Sequence, residues 1–522
     1  MRAIGQTRLR RTRDIRLRAL LFVGLLSLPA QADDAVSQDK TGAPPISLGL
    51  APGTPQVTAL PGGLTPAYGQ LAADESEWRF DFHGFLTMPL RAGFNQRAGT
   101  VTSDQHSLVL HAPPVVPDYP DAFTYTSVVP QPYAQLNFSY GNSVVTGTVI
   151  VLARNAATAS SYTSPPAEAG ISDAFLTFQL PNIVKNSHFE INVGVFTNRY
   201  GIMGEYDEGR YGTPVIAQTN GAGENIVAKF ALGRKFLLDI EQGIQGQLDK
   251  APAGILPSGW NGFADPNAGS GFVNHLHAGV GYMGLATFGL HYMTAWAQDD
   301  RASQGTVPDG AIGILGADLR LSLGHLGHFY LVASRAHAIT AGSVGGIVQV
   351  LNTSGGLGLM ADYLGPNSGG TGTLLTFAGQ YDLSIGRLLR YPRAFKGDAP
   401  DIVVSVFGMQ THVSSNDAAF DNVSKVKYGV EAGYAMLPWL ATSLRLDRVE
   451  PNTGDGRQSF SVVSPRVIFR SNWQAHDQVV LQYSHWFNGS GVVVRDDGYP
   501  PAYDPTLRPD ENVVSLAASM WW

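Results

Sequence analysis

The stretch Trp78–Phe94, WRFDFHGFLTMPLRAGF, decides the architecture. Trp78, Phe80, Phe82, Leu86, Met88 and Leu90 share one parity, and Arg79, Asp81, His83, Thr87 and Arg91 share the other. Successive side chains of a strand point to opposite faces, so this period of two predicts a ribbon with one apolar and one polar side. The stretch is longer than the roughly 5–6 residues usual in globular proteins. It is long enough for a tilted membrane crossing, which takes about 9–11.

The pattern recurs along the chain. YAQLNFSYG sets Ala134, Leu136, Phe138 and Tyr140 against Gln135, Asn137 and Ser139. FEINVGVFTN sets Ile191, Val193 and Val195 against Glu190, Asn192 and Asn198. ENIVAKFAL sets Ile226, Ala228, Phe230 and Leu232 against Asn225 and Lys229, and LATSLRLD sets Leu440, Leu444 and Leu446 against Ser443, Arg445 and Asp447. About 18 such segments start near residues 78, 131, 143, 171, 188, 224, 235, 273, 285, 311, 327, 371, 401, 423, 438, 458, 477 and 512, with 16 as the alternative count.

The connections alternate. Short ones lie at 141–143, 233–235, 283–284, 324–327 and 437–438, and long ones at 95–130, 155–170, 201–223, 248–272, 299–310, 341–370 and 490–511. The connections 181–187, mildly, and 385–400, more strongly, break the rule. Short turns on one side and long loops on the other are the rhythm of an up-and-down membrane barrel. In lipid, strands satisfy their backbone groups only by closing on themselves. The expected fold is therefore all-β: a transmembrane antiparallel barrel with short periplasmic turns and long extracellular loops.

Arginines at 2, 8, 10, 11, 13, 16 and 18 precede the apolar run ALLFVGLLSLPA (19–30) and the small-x-small site Ala30-Gln31-Ala32. This is the layout of a cleaved secretory signal peptide over 1–32, with an apolar core too short to span a membrane as a helix. Residues 33–77 are rich in Pro, Gly, Thr and Ala without a sustained period, and read as a flexible periplasmic arm or a small plug, leaving the barrel to 78–522.

The chain has 522 residues, 60 glycines, 24 phenylalanines, 20 tyrosines, no cysteine and a formal net charge of -7. The absence of cysteine excludes disulfides, thiolate metal sites and thiol catalysis. Loss of 1–32 removes seven arginines and one aspartate, taking the net charge from -7 to -13. An exported acidic chain with no basic stripe has no nucleic-acid partner.

The sequence ends NVVSLAASMWW (512–522), with Val514, Leu516, Ala518, Met520 and Trp522 on one parity. This tail resembles the last strand of bacterial outer-membrane barrels, which commonly ends on an aromatic residue, phenylalanine more usually than tryptophan. Residues 78–522 as a whole resemble an outer-membrane porin, general or substrate-specific; the likeness is architectural and points to no subfamily. It implies embedding in the outer-membrane bilayer, assembly by the barrel-assembly machinery reading Trp522, and association as a homotrimer.

By position, the resemblance makes loop 201–223 the one that folds inward and narrows the pore. Glu205, Asp207 and Glu208 are its acidic candidates. Arg79, Arg91, Lys229, Arg320, Arg445, Arg466 and Arg470 share the inward parity and are the basic wall candidates, facing those acids across a transverse field. Inward Asp81, His83, Asp239, Glu241, Asp318 and Glu431 read as partners in interior salt bridges. His275 and His277 share a strand face in NHLHAG, but no third ligand lies near them in sequence, so no metal and no cofactor is assigned. The function implied is passive diffusion of small hydrophilic solutes or ions. A structural or adhesive barrel is the alternative, and a barrel enzyme is a further one for which no catalytic arrangement stands out.

Overall fold

A computed structural model of the chain describes residues 78–94, 133–154, 168–181, 183–200, 217–248, 270–298 apart from 284, 310–340, 348–351, 357–358, 370–389, 400–418, 421–437, 439–450, 453–454, 460–471, 477–488, 492–493, 502–503 and 510–521. The chain separates into two units, Met1–Ser47 and Leu48–Trp522, and every described residue belongs to the second. The signal segment 1–32 and arm 33–77 lie outside the described residues.

In chain order the strands are β1 (Arg79–Phe94), β2 (Tyr133–Gly141), β3 (Val145–Arg154), β4 (Glu168–Pro181), β5 (Ser187–Tyr200), β6 (Ala217–Leu232), β7 (Phe236–Leu248) and β8 (Ser270–Tyr282). They continue as β9 (Ala286–Gln298), β10 (Gly310–Ser322), β11 (His328–Ile339), the short β12 (Val348–Leu351) and β13 (Leu357–Gly358), β14 (Gly372–Ser384), β15 (Asp401–Ser415) and β16 (Val423–Leu437). The last are β17 (Leu440–Glu450), β18 (Phe460–Phe469), β19 (Asp477–Asn488), the short β20 (Val492–Val493) and β21 (Ala502–Tyr503), and β22 (Asp510–Trp521).

Every pairing is antiparallel. β1 to β11 pair in succession, β11 hands on to β14, β14 to β19 continue in succession, and β19 pairs with β22. β22 then pairs with β1, from Phe85 opposite Trp521 to Phe94 opposite Asn512. The ladder returns to its start through eighteen long strands, the number the alternation predicts. A strand of about 13 residues is about 44 Å long, and at the ~40° tilt of such barrels rises through about 34 Å, enough to cross a bilayer core of about 30 Å.

The short turns are held by local chemistry. Asn142 Oδ1 accepts from the backbone N–H groups of Val144 and Val145, each at 2.9 Å, tying off the β2–β3 turn. Ser187 Oγ both accepts from Val184 N at 3.0 Å and donates to Val184 O at 2.6 Å. Gly233 at φ 70° gives the β6–β7 turn a left-handed residue that costs a Cβ-bearing side chain energy. The irregular connection after β14 is anchored on Asp401. That carboxylate accepts from Ser384 Oγ at 2.6 Å and from the backbone N–H of Gly386 at 2.7 Å, where the one-turn helix Ile385–Leu388 begins.

Outward and inward parities differ as the sequence predicts. Phe82, Leu176, Ile240, Leu276, Leu290, Leu315, Phe377, Leu444, Leu481 and Leu516 are exposed, while Asn137, Thr148, Asn192, Asn225, Glu241, Arg445, Ser464 and Gln482 are buried. A soluble monomer does not expose so much contiguous apolar surface; lipid accounts for it. Aromatic pairs mark the short-turn rim: Trp78 with Tyr140 at 5.3 Å between ring centroids, Phe189 with Phe230 at 5.7 Å, Phe236 with Tyr282 at 5.0 Å and Phe329 with Tyr381 at 6.5 Å. Phe272 with Trp296 at 5.8 Å marks the long-loop rim. Rings of this kind sit where hydrocarbon meets headgroups.

Two expectations about loops are corrected. Loop 201–223 ends sooner, because β6 begins at Ala217. Gly221 and Gly223 read as loop residues, but they stand in the ladder opposite Phe196 and Gly194 of β5. They hide the alternation because they present no side chain to either face. The connection 341–370 is not wholly surface loop: its β12 pairs with the start of β6, Val348 opposite Thr219 and Val350 opposite Ala217, five strands around the ring.

Candidate functional site: the lumen wall

The inner face carries two charged clusters, each built by cross-strand register. The first spans β7 to β10. Glu241 stands opposite His277, and His277 opposite His291, so the three share one row. One row nearer the short turns, Asp239 stands opposite Gly279, Gly279 opposite Gly289, and Gly289 opposite Asp318. The glycines leave floor space, and both carboxylates lean over it. A Cβ on Gly279 would lie 2.6 Å from Asp239 Oδ2, and one on Gly289 would lie 2.7 Å from Asp318 Oδ2 and 2.9 Å from His277 Nε2.

The imidazoles fill the remaining space. His277 and His291 lie with ring centroids 4.6 Å apart and planes inclined by 31°. His277 Nδ1 is 3.1 Å from Asp239 Oδ2, and His291 Nε2 is in contact with Asp318 Oδ2. His275, one row further from the short turns, faces Asn225 Oδ1 at 2.9 Å and Glu241 Oε1 at 3.1 Å with its Nε2.

The second cluster spans β15 to β19. Arg445 Nε donates to Asp447 Oδ2 at 2.9 Å, and its guanidinium sits 5.1 Å from the centroid of the Phe407 ring. Arg466 Nη1 donates to Glu431 Oε1 at 3.2 Å, reaching over the small Ser443, its neighbour on β17. Arg470 Nη2 donates to Gln478 Oε1 at 3.0 Å. The pairs answer the cost of placing charge against a protein wall, since each cation has an oxygen beside it.

Arg79, Lys229, Arg320, Arg445, Arg466 and Arg470 all fall on the inward parity. Lys229 stands opposite His188 and Asp239, and Arg320 opposite Thr287 and Tyr330. Arg91 lies in the β1 ladder opposite inward-facing Ser515, with its side chain outside the described residues, as is that of His83. Glu205, Asp207, Glu208 and Trp522 also lie outside the described residues.

Two features escaped the sequence reading. His291 and Asp318 complete a convergence for which only His275 and His277 were noticed. Phe175 and Phe196, 6.1 Å apart and edge-on, pack with Ile150 as an apolar cluster on the inner wall. The signal for Phe196 was present, since it shares parity with Glu190 and Asn192.

No family model matches the chain, and no curated protein does. Among solved structures, Pseudomonas aeruginosa OccD3 (OpdP) is similar at 8% identity, covering 92% of this chain and 96% of that one, with a TM-score of 0.38. Pseudomonas aeruginosa OpdK with vanillate aligns at 11% identity over 85% of this chain and 98% of that one, TM-score 0.38. OmpT, an outer membrane protein of Vibrio cholerae, aligns at 9% identity over 85% and 98%, TM-score 0.35. At such scores the likeness carries no functional argument, and the fold rests on the strand ladder itself.

Proposed function

We propose that the chain is an outer-membrane porin through which small hydrophilic solutes or ions diffuse passively. One observation carries the reading: a ring of eighteen strands turns apolar side chains outward and acids, imidazoles, guanidinia and amides inward. Such a wall keeps a water-filled path through lipid. On this reading residues 1–32 direct export and are cleaved, 33–77 form a periplasmic arm, and the barrel-assembly machinery inserts the chain through its last strand. Three copies associate, loop 201–216 folds into the lumen, and Glu205, Asp207 and Glu208 face the wall cations Arg79, Arg91, Lys229, Arg320, Arg445, Arg466 and Arg470. No catalytic step is assigned.

Purified protein added to a planar bilayer should give stepwise current increments. Silence across a wide voltage range would remove the transport reading. The triple variant Glu205→Gln, Asp207→Asn, Glu208→Gln should shift the reversal potential in a salt gradient toward lower cation preference. An unchanged reversal potential with intact conductance would remove the loop from the pore while leaving the channel.

A further inference from the structure

We propose that His277, His291 and Asp318 form a binding site for a divalent transition-metal ion of the zinc class in the lumen wall. The three residues come from consecutive strands β8, β9 and β10, and one ligand atom from each lies within 4.8 Å of the other two. Around a tetrahedral zinc with bonds of about 2.0–2.2 Å, ligand atoms stand roughly 3.3–3.6 Å apart. Small side-chain rotations close the difference. Among the described residues no other three His, Asp or Glu side chains converge this closely.

Three observations separate this cluster from a plain imidazole–carboxylate pair. First, the ligand atoms meet over a floor with no side chain. His277 Nε2 and Asp318 Oδ2 both lie within 3 Å of the point where a Cβ of Gly289 would stand, so the glycine leaves the space into which they are aimed. Second, a carboxylate stands on the other side of one ring. Asp239 Oδ2 sits 3.1 Å from His277 Nδ1, while Nε2 of the same ring is on the side of Asp318. Third, buried polar atoms are left over. His277 and His291 are each 3% exposed, and His277 Nδ1, His291 Nδ1, Asp239 Oδ2 and Glu241 Oε2 have no partner in hydrogen-bond geometry. Buried polar atoms without partners are uncommon and costly unless something else satisfies the group. A dication here balances the negative charge that Asp239, Glu241 and Asp318 bring into the wall. Two imidazoles and one carboxylate suit zinc and its first-row neighbours, whereas magnesium and calcium take all-oxygen sites.

The test uses the folded full-length barrel, stripped with a chelator and titrated with Zn²⁺ in a calorimeter, with Co²⁺ as a spectroscopic probe. One ion per chain is expected. His277→Gln, His291→Gln and Asp318→Asn should each weaken binding at least tenfold, while His412→Gln, at an exposed imidazole on β15, should not change it. Heat-dependent electrophoretic mobility checks that each variant is folded. Co²⁺ bound to the unaltered protein should show the intense visible bands of a four- or five-coordinate site, so the proposal stays testable even where a variant does not fold. Unchanged Zn²⁺ affinity in the folded His277→Gln/His291→Gln pair, or Co²⁺ bands no different from the hydrated ion, would overturn it. Binding is read without conductance, so a silent channel leaves this result standing.

Discussion

Leu481→Arg should cost the barrel about 2–4 kcal/mol in a bilayer, the penalty for a cation at mid-membrane on a lipid-facing strand. Leu481 is midway along β19, is 44% exposed, and lies between Val467 of β18 and Leu516 of β22. An arginine here can reach water only by bending its stem past several rungs of the wall. Denaturant titration of the protein folded into lipid vesicles measures the loss. Leu481→Val in the same assay should cost no more than about 1.5 kcal/mol, because it removes one methylene without adding charge. A loss below about 0.5 kcal/mol for the arginine variant, the range of a neutral surface change, would show that this face does not meet hydrocarbon.

The second large effect is expected at Arg445, whose side chain has no solvent exposure. Arg445→Ala removes the Nε–Asp447 pair and the contact with the Phe407 ring, and leaves Asp447 charged in the wall. Breaking a buried pair from one side costs about 3–5 kcal/mol, whereas replacing both charges by apolar groups is often close to neutral. Arg445→Met combined with Asp447→Leu should therefore recover most of the stability lost by Arg445→Ala. If Arg445→Ala alone is neutral, lumen water already screens Asp447 and the cluster is not desolvated.

The barrel was legible because its two solvents differ so strongly. Leu444 and Arg445 are neighbours in sequence yet meet lipid and lumen respectively, and the period of two records that contrast in almost every strand. It fails where glycine removes the contrast, as at Gly221 and Gly223, so the start of β6 was placed at 224 rather than Ala217. The inward position of Lys229, Arg320 and Arg466 was legible for the same reason, since parity alone gives it.

The imidazole cluster was half legible. Reflection about the tight Met283–Gly284 turn sets His277 opposite His291, so that pair could have been read from the sequence. Asp318 could not, because β9 and β10 are joined by a long connection whose length does not fix their register. The same limit hides the pairing of β12 with β6.

The contact between β1 and β22 has a consequence for biogenesis. The ring's first strand finds one of its two neighbours only when the last strand has left the ribosome, so no growing chain can seal the seam. Until then β1 and β19 each keep a bare edge that could zip onto another molecule. A chain cut before Asp510 should therefore fail to close and accumulate as degraded or aggregated material.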